Sequence, residues 1–420
     1  MKTLPSSMQQ IRSAFIWTRL LGVPFWGMLY LFSLILYKEI HISPLQISII
    51  LTLKPVSALV APYWSQSIYQ RPDLLLSNLV KANILRYLPF LFLPWIQSAW
   101  ILILAFGLYM MFYRGVIPVW MEIIKSHLPD QEQRSLIAYG SILDYAATAL
   151  LPLLLGIILD NYDNSWRFLF LCTALIGLLS TLFLYRLPIS QALYPTLDVS
   201  TKKNSSASIW KMVTKKIFTP WKNSWELLKN DRQFLKFQCG FMLGGSGLMI
   251  IQPTLPMFFV DILHLSYTKM LIALTLFKGI GFALAMPLWV RLFHRWNIYR
   301  LSSGVTALAT LFPLLLLYSQ GHLVLLYLAY VFYGMMQAGS ELSWHISGPT
   351  FAKEKNSVIF SETNVLAVGL RGCMVPPLGA LLHTATSSTV VMLVGSLLCF
   401  LAFQYLFKAG AALKKEAPSS

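Results

Sequence analysis

Charged residues and cysteines are both scarce in this chain. Only 12% of its 420 residues are Asp, Glu, Lys or Arg, while 56% are hydrophobic and the mean hydropathy is +0.63. This composition excludes an ordinary soluble globular protein. The four cysteines each lie alone in an apolar segment, so the sequence predicts neither a disulfide framework nor a metal site.

Acidic residues are fewer than basic ones: 16 Asp and Glu stand against 33 Lys and Arg, for a formal net charge of +17. Such a charge can indicate a nucleic-acid partner, but most of the excess basic residues fall in loops on one side of the predicted topology. A bias of this kind is typical of cytoplasmic loops in membrane proteins. We therefore expect a lipid bilayer, and no nucleic acid, as a partner of this chain.

Hydrophobic windows of about 20 residues, enough for a helix to cross the hydrocarbon core, recur along the chain. The loop charges place both termini on the cytoplasmic side of the plasma membrane, the inner membrane of a bacterium. The sequence thus predicts an all-α, polytopic membrane protein with twelve transmembrane helices in two six-helix halves. The predicted spans lie at 14–37, 44–66, 74–95, 98–122, 136–159, 166–186, 234–260, 268–292, 298–319, 322–346, 358–382 and 387–408.

The spans divide the chain into three predicted parts. Residues 1–186 form an N-terminal six-helix bundle, 187–233 a basic cytoplasmic linker, and 234–420 a C-terminal six-helix bundle. The linker mixes tryptophans with lysines over residues 208–228. This mixture is typical of an interfacial helix, and a plain charged linker is the alternative.

A repeat with a spacing of 224 residues relates the two bundles. Lys54 recurs as Lys278, each in the middle of an apolar span, and Tyr109 recurs as Tyr333. Agreement of Lys, Tyr, Trp and Pro at one spacing indicates a duplicated unit rather than chance identity between leucine-rich segments. Further pairs at the same spacing are Met111 and Met335, Gly115 and Gly339, Trp120 and Trp344, and Pro152 and Pro376.

Two parallel six-helix halves joined by a cytoplasmic loop resemble the major facilitator superfamily, and the resemblance covers essentially the whole chain. The loop between helices 2 and 3 departs from the family pattern, since Gln66 stands near the family's aspartate while Arg71 remains. Helix 11 is closer to it, with Arg371 followed by Pro376 and Pro377. The resemblance implies a secondary transporter that works by alternating access and is not an enzyme. Because no nucleotide-binding motif occurs, we expect transport to use gradients or exchange, without a cofactor.

Basic residues inside the predicted spans outnumber acidic ones. A charge at this depth costs about 2.5 kcal/mol or more and indicates a functional site by default, and uncompensated cations would stabilise a bound anion. Arg114 and Asp144 match in depth across one hairpin, so a structural ion pair is the alternative to a substrate role. We interpret Arg19 and Arg86 as snorkelling or packing side chains. The six basic residues are Arg19, Lys54, Arg86, Arg114, Lys278 and Arg371.

Lys54, Lys278 and Arg371 are the main candidates for substrate binding or gating. The resemblance implies that helices 2 and 11, and helices 5 and 8, lie side by side, which would bring Lys54 towards Arg371 and Asp144 towards Lys278. An anion entering there would replace one partner of an ionic contact as the halves rock. The alternative is that such contacts only hold the halves together in one state.

Helix 10 carries a polar stripe, because Tyr333, Gln337 and Glu341 are spaced i, i+4, i+8 on an otherwise apolar helix. The stripe is matched on helix 4 by Tyr109 and Tyr113. It indicates substrate contact, and interhelical hydrogen bonding is the alternative. Glu341 is the first candidate for a proton-coupled carboxylate. Asp144 and Glu362 are the further candidates for this role.

Helices 1 and 7 contain glycines and prolines that predict an interrupted backbone, at Gly22 to Pro24 and at Gly244 to Pro256. Interrupted helices mark binding sites in transporters. Gln252, beside Pro253 of helix 7, is therefore a candidate for contact with the substrate. Close glycine packing is the alternative.

Three functions are compatible with these features. The favoured one is secondary transport of a small organic or phosphorylated anion, by proton symport or by exchange for a counter-anion. An exporter or flippase of amphipathic drugs or lipids would be favoured by a cavity rich in carboxylates, and the basic excess argues against it. A membrane-embedded enzyme or a non-transporting sensor is a remote third, since most histidines fall at span ends or in loops.

Overall fold

The structure, a computed structural model, describes residues 6–69, 75–187, 219, 221–352 and 357–416. Within these ranges the backbone is helical apart from short turns, and it contains no strand. The predicted all-α class is confirmed. Of the predicted interfacial helix at 208–228, only the end is described, as part of a helical stretch at 221–230. The rest lies outside the described residues.

The N-terminal part of the chain consists of long helices joined by short turns, as apolar spans require in lipid. The expected interruption at Pro24 is absent, because the first helix continues through this residue to Tyr30. The break comes instead at Leu31, where the chain bends by 47°. The helices are α1 (Ser6–Tyr30), α2 (Phe32–Ile40), α3 (Pro44–Tyr69), α4 (Leu75–Leu91), α5 (Ala99–His127), α6 (Asp130–Asn161) and α7 (Ser165–Leu184).

The C-terminal part contains a further set of long helices and the predicted interruption of helix 7. Regular α-helix ends at Ile251, and the chain continues as a 3₁₀ turn, a short α-turn and a π-helix, Phe258–Ile262. Pro253 and Pro256 explain the change, because neither residue has a backbone N–H to donate. The helices are α8 (Arg232–Ile251), α9 (Tyr267–Leu271), α10 (Lys278–Phe293), α11 (Ile298–Tyr318), α12 (Leu323–Ala352), α13 (Ser357–Ala385) and α14 (Ser388–Glu416).

Many of these helices could cross a membrane. Judged by length and composition, eight helical segments of the described chain qualify, or nine if the bent pair α1 and α2 forms one span. These segments support a multi-pass membrane protein. The exact number of twelve spans stays a prediction.

The chain forms two compact units. Unit 1 comprises Met1–Thr201 and Ser266–Leu271, and unit 2 comprises Lys202–Leu265 and Ile272–Ser420. The predicted linker falls mostly outside the described residues, so the division at 186 and 233 stays a prediction.

The same helix packing occurs in both units. In unit 1, α1 packs on α6 and α7, α5 packs on α3 and α4, and α4 packs on α7. In unit 2, α8 packs on α13 and α14, α12 packs on α10 and α11, and α11 packs on α14. Each pairing in the first set has its counterpart, in chain order, in the second. This correspondence agrees with the 224-residue repeat.

A short segment of unit 1, residues 266–271, has residues of unit 2 on both sides of it in the chain. Asp160, near the end of α6, holds this segment by accepting hydrogen bonds from the backbone N–H of Tyr267 at 2.7 Å and of Thr268 at 2.8 Å. The Tyr267 hydroxyl donates to Glu39 at 2.8 Å, and Lys38 Nζ lies 4.0 Å from the centroid of the Tyr267 ring. The N-terminus of α9 is therefore capped by a carboxylate from α6.

Candidate functional site

Unit 1 contains a cavity of about 240 Å³ between α1, α4 and α5. Two arginines, Arg19 from α1 and Arg86 from α4, line it together with tyrosines and tryptophans. None of the described residues that line it is acidic. Its charged side chains are therefore of one sign.

Arg86 is the more deeply buried arginine of this cavity, with only 8% of its surface exposed. Its guanidinium carbon lies 4.6 Å from the centroid of the Tyr87 ring and 6.0 Å from that of the Tyr109 ring, within the range of cation–π attraction. Its Nε is buried and has no hydrogen-bond partner among the described residues. Of the two interpretations of Arg86, snorkelling does not hold, because a snorkelling guanidinium would reach water, whereas packing agrees with its contacts to Tyr87 and Tyr109.

Unit 2 contains a cavity of about 190 Å³ between α8, α11 and α12, with one residue from α13. Four side chains singled out from the sequence line it together: Gln252, Tyr333, Gln337 and Arg371. The described lining again contains no acidic residue. The candidate substrate-binding residues of the predicted helices 7, 10 and 11, which correspond to α8 with the turn after it, α12 and α13, thus line one cavity.

Arg371 is held in this cavity by backbone and aromatic groups. Its Nη1 donates to the carbonyl oxygen of Phe241 at 3.1 Å, and its guanidinium carbon lies 5.8 Å from the centroid of the Phe241 ring. Nε of Arg371 and Oε1 of Gln337 are buried without a hydrogen-bond partner among the described residues. The cavity wall therefore combines a cation with a neutral amide side chain.

Glycine 245 makes room for this arginine. A Cβ atom built on Gly245 would overlap the guanidinium group of Arg371. The neighbouring Gly244 and Gly247 pack instead against α11 and α14, where a Cβ would come to 2.5 Å from Thr306 Cγ2 and from the carbonyl oxygen of Gly395. The glycine cluster of α8 therefore allows close packing of neighbouring helices and also leaves space for the guanidinium group of Arg371.

Lys278 lies close to the unit 2 cavity. Its Nζ is 5.6 Å from the ring centroid of Tyr333, which lines that cavity, and the side chain is partly buried. Lys54, its repeat partner, is partly buried on α3 and lines neither cavity. The two lysines share a sequence environment, but only Lys278 is placed next to a cavity.

The carboxylate candidates line neither cavity where the structure describes them. Glu341 is partly buried on α12, and Glu362 is exposed on α13. The side chain of Asp144 lies outside the described residues, so the proposed pair with Arg114, which is exposed on α5, stays a prediction. No group of His, Cys, Asp or Glu that could hold a metal occurs among the described residues.

The two cavities occupy equivalent positions in the repeat. Tyr109 and Tyr333, which are related by the 224-residue spacing, each line one cavity. Tyr113 in unit 1 corresponds in the same way to Gln337 in unit 2. Sequence reasoning singled out several residues of the second cavity, and in the first it found Tyr109 and Tyr113 but missed Arg86. The available signal was the spacing of Asn83 and Arg86, which places both side chains on one face of α4.

Solved structures with the same fold are transporters. The nucleoside transporter NupG shares 13% identity, with a TM-score of 0.67 over 95% of this chain and 99% of its own. A bacterial homologue of the human lysosomal transporter Spinster shares 13% identity, with a TM-score of 0.65 over 99% and 100%. The peptide transporter POT in complex with sulfate shares 14% identity, with a TM-score of 0.69 over 98% and 95%.

Sequence comparison gives the same family. No curated protein sequence matches the chain. The family model described as Major Facilitator Superfamily matches residues 15–361, which is most of the chain. The protein is therefore an integral membrane transporter rather than an enzyme, and it belongs to the Major Facilitator Superfamily.

Proposed function

We propose that this protein is a secondary transporter of a small organic or phosphorylated anion in the plasma membrane, with both termini in the cytoplasm. Transport would run by proton symport or by anion exchange. The observation that carries the proposal is the unit 2 cavity, in which the Arg371 guanidinium faces polar neutral groups and no acidic residue of the described lining. A cation in such a place favours a negatively charged ligand.

The geometry of arginine suits this role. A guanidinium has five N–H donors in a planar fork that matches a carboxylate or a phosphate. The contact with Phe241 uses Nη1, while Nε remains without a partner among the described residues. A carboxylate or phosphate bound in the cavity would meet a positive charge that no acidic residue of the described lining balances.

Neutral groups around Arg371 would orient the anion. Gln252 and Gln337 supply amide groups, and Tyr333 supplies a hydroxyl, all from the lining of the same cavity. Lys278 adds a second positive charge beside Tyr333. Such a combination of one or two charges with a few neutral polar groups is usual in small-molecule sites.

The substrates named for the similar transporters do not identify the substrate of this protein. NupG is a nucleoside transporter and POT is a peptide transporter, although their folds are alike. The charge of the cavity therefore supports the proposal, and the fold supports only transport. No feature of the described lining favours an exporter of amphipathic cations, since that function calls for carboxylates.

A counterflow screen in proteoliposomes tests the proposed class of substrate. The purified protein is reconstituted, loaded with unlabelled solute and assayed with labelled carboxylated, phosphorylated, neutral and cationic metabolites, with and without a proton ionophore. We expect counterflow of anions only. Uptake into vesicles without internal solute, driven by an imposed pH gradient and abolished by the ionophore, separates proton symport from exchange. Counterflow confined to neutral or cationic solutes would contradict the proposal.

A further inference from the structure

The unit 1 cavity differs from the unit 2 cavity in a way that the repeat does not require. At the position equivalent to Gln337 it has Tyr113, and at the position equivalent to Ile250 it has Trp26. The more deeply buried of its two arginines, Arg86, corresponds to Thr310 in the second half. The repeat therefore does not explain why unit 1 has aromatic rings and a buried cation at these positions.

Three aromatic side chains cluster along one wall, where the rings of Trp26 and Tyr109 lie 6.3 Å apart at an interplanar angle of 32°. The rings of Trp26 and Tyr113 lie 4.8 Å apart at an interplanar angle of 21°, and those of Tyr113 and Tyr109 lie 5.9 Å apart at 12°. All three line the cavity, and Trp26 and Tyr113 are only partly buried. A cluster of rings that includes the stacked pair Trp26 and Tyr113 and has an open side is a surface on which another planar ring can lie.

Arg86 is positioned before any ligand arrives. Cation–π contacts hold its guanidinium over Tyr87, and a guanidinium over a ring keeps its in-plane N–H donors for other partners. One turn earlier on α4, Asn83 donates to Ser180 at 3.1 Å and to Thr181 at 2.7 Å, which fixes α4 against α7. The buried Nε of Arg86 has no partner among the described residues. The guanidinium therefore keeps its positive charge at a cavity whose described lining contains no acidic residue.

We propose that the unit 1 cavity binds an anion that carries a planar aromatic ring. The ring lies on the stack of Trp26 and Tyr113, and the anionic group accepts hydrogen bonds from Arg86. Arg19, at the same cavity, adds positive charge. The inference rests on the proposed function and narrows its substrates to aryl carboxylates, aryl phosphates and related heteroaromatic anions.

Two probes that differ only in the ring test the inference. The affinities of phenyl phosphate and methyl phosphate are measured by calorimetric titration of the purified full-length protein in detergent. The titration uses the variant Arg371→Gln, which removes the cation of the unit 2 cavity. We expect phenyl phosphate to bind at least about tenfold more tightly, in the range of one stacked base or ring.

Variants in that background separate the two parts of the site. Tyr113→Leu and Trp26→Leu are each expected to bring phenyl phosphate down to the affinity of methyl phosphate, and Arg86→Gln to weaken both esters about tenfold or more. Trp17→Leu is the matched control, because Trp17 is also on α1 but stacks on Phe183 and does not line the cavity. We expect it to leave both affinities unchanged.

Several outcomes would overturn the inference. They are equal affinity for the two esters, no binding of either, a ring preference that survives Tyr113→Leu and Trp26→Leu, or unchanged affinities in Arg86→Gln, each in monodisperse protein. Any of these leaves the proposed function standing if the wild type still shows anion counterflow. Conversely, a ring preference in titrations without anion counterflow would count against the proposed function and not against this site.

Discussion

Arg86 and Arg371 are two arginines held inside helical bundles by groups that carry no negative charge. Aromatic rings hold the first, while a backbone carbonyl and an aromatic ring hold the second. These contacts fix the position of each guanidinium but do not neutralise it. A ligand with a negative charge therefore gains more at these positions than a neutral one. The surrounding residues matter mainly because they keep each guanidinium in place.

Replacing Gly245 tests how closely Arg371 is positioned. Gly245→Ala would put a methyl group where the guanidinium lies, so we expect anion counterflow to fall about tenfold or more, a loss of about 1.4 kcal/mol or more. Gly279→Ala on α10 is the matched control, because nothing lies within 4 Å of its added Cβ. Equal counterflow by the two variants would show that the position of Arg371 does not matter.

Lys278 is expected to strengthen anion binding in the unit 2 cavity through its positive charge. Lys278→Gln removes one positive charge beside Tyr333, and we expect the KM for the anion to rise several-fold with little change in kcat. Lys278→Arg should keep most of the affinity. Lys236→Gln, at an exposed lysine of α8, is the control. An unchanged KM in Lys278→Gln would remove Lys278 from substrate binding.

At the scale of helices, the irregular segments have identifiable causes. The 3₁₀ and π segments after α8 follow from Pro253 and Pro256, which cannot continue the α-helical hydrogen bonds. The short helix α9 depends on α6, because Asp160 provides the acceptor for its first N–H groups. Burial raises the pKa of Asp160, but hydrogen bonds from Thr268, Tyr267 and Ser266 outweigh it and lower the pKa overall.

Asp160→Asn is expected to weaken the attachment of α9 and to change the pH dependence of stability. Because the folded pKa lies below the unfolded value of about 3.9, the stabilisation is complete above that value and is lost as the pH falls through the folded pKa. We expect the variant to lose about 0.5–1 kcal/mol at neutral pH and less in acid. Thermal unfolding from pH 7 to 3 measures both effects.

Asp163→Asn is the matched control for this prediction, since Asp163 lies just beyond the end of α6 and is exposed. It should unfold at the same temperature as the wild type. If Asp160→Asn did so too at neutral pH, the capping interaction would contribute nothing to stability.

At the scale of the whole molecule, hydropathy and the 224-residue repeat were enough to predict an all-α membrane transporter and its family. Gln252, Tyr333 and Arg371 were each singled out from the sequence, because proline breaks, helix periodicity and mid-span charges are local signals, but their meeting in one cavity was not predicted. The inward position of Arg86 did not follow. Whether an arginine at that depth points to water or inward depends on the rotation of α4, which long-range hydrogen bonds of Asn83 determine.

The most direct test of the central claim is anion counterflow by Arg371→Gln in proteoliposomes, compared at equal protein density with the wild type. The assay uses the anion that the substrate screen identifies. The account predicts a loss of at least about tenfold, or 1.4 kcal/mol, with partial recovery in Arg371→Lys. Arg232→Gln, at an exposed arginine of α8, should behave as the wild type. Undiminished counterflow by Arg371→Gln would contradict the claim that this buried arginine binds the transported anion.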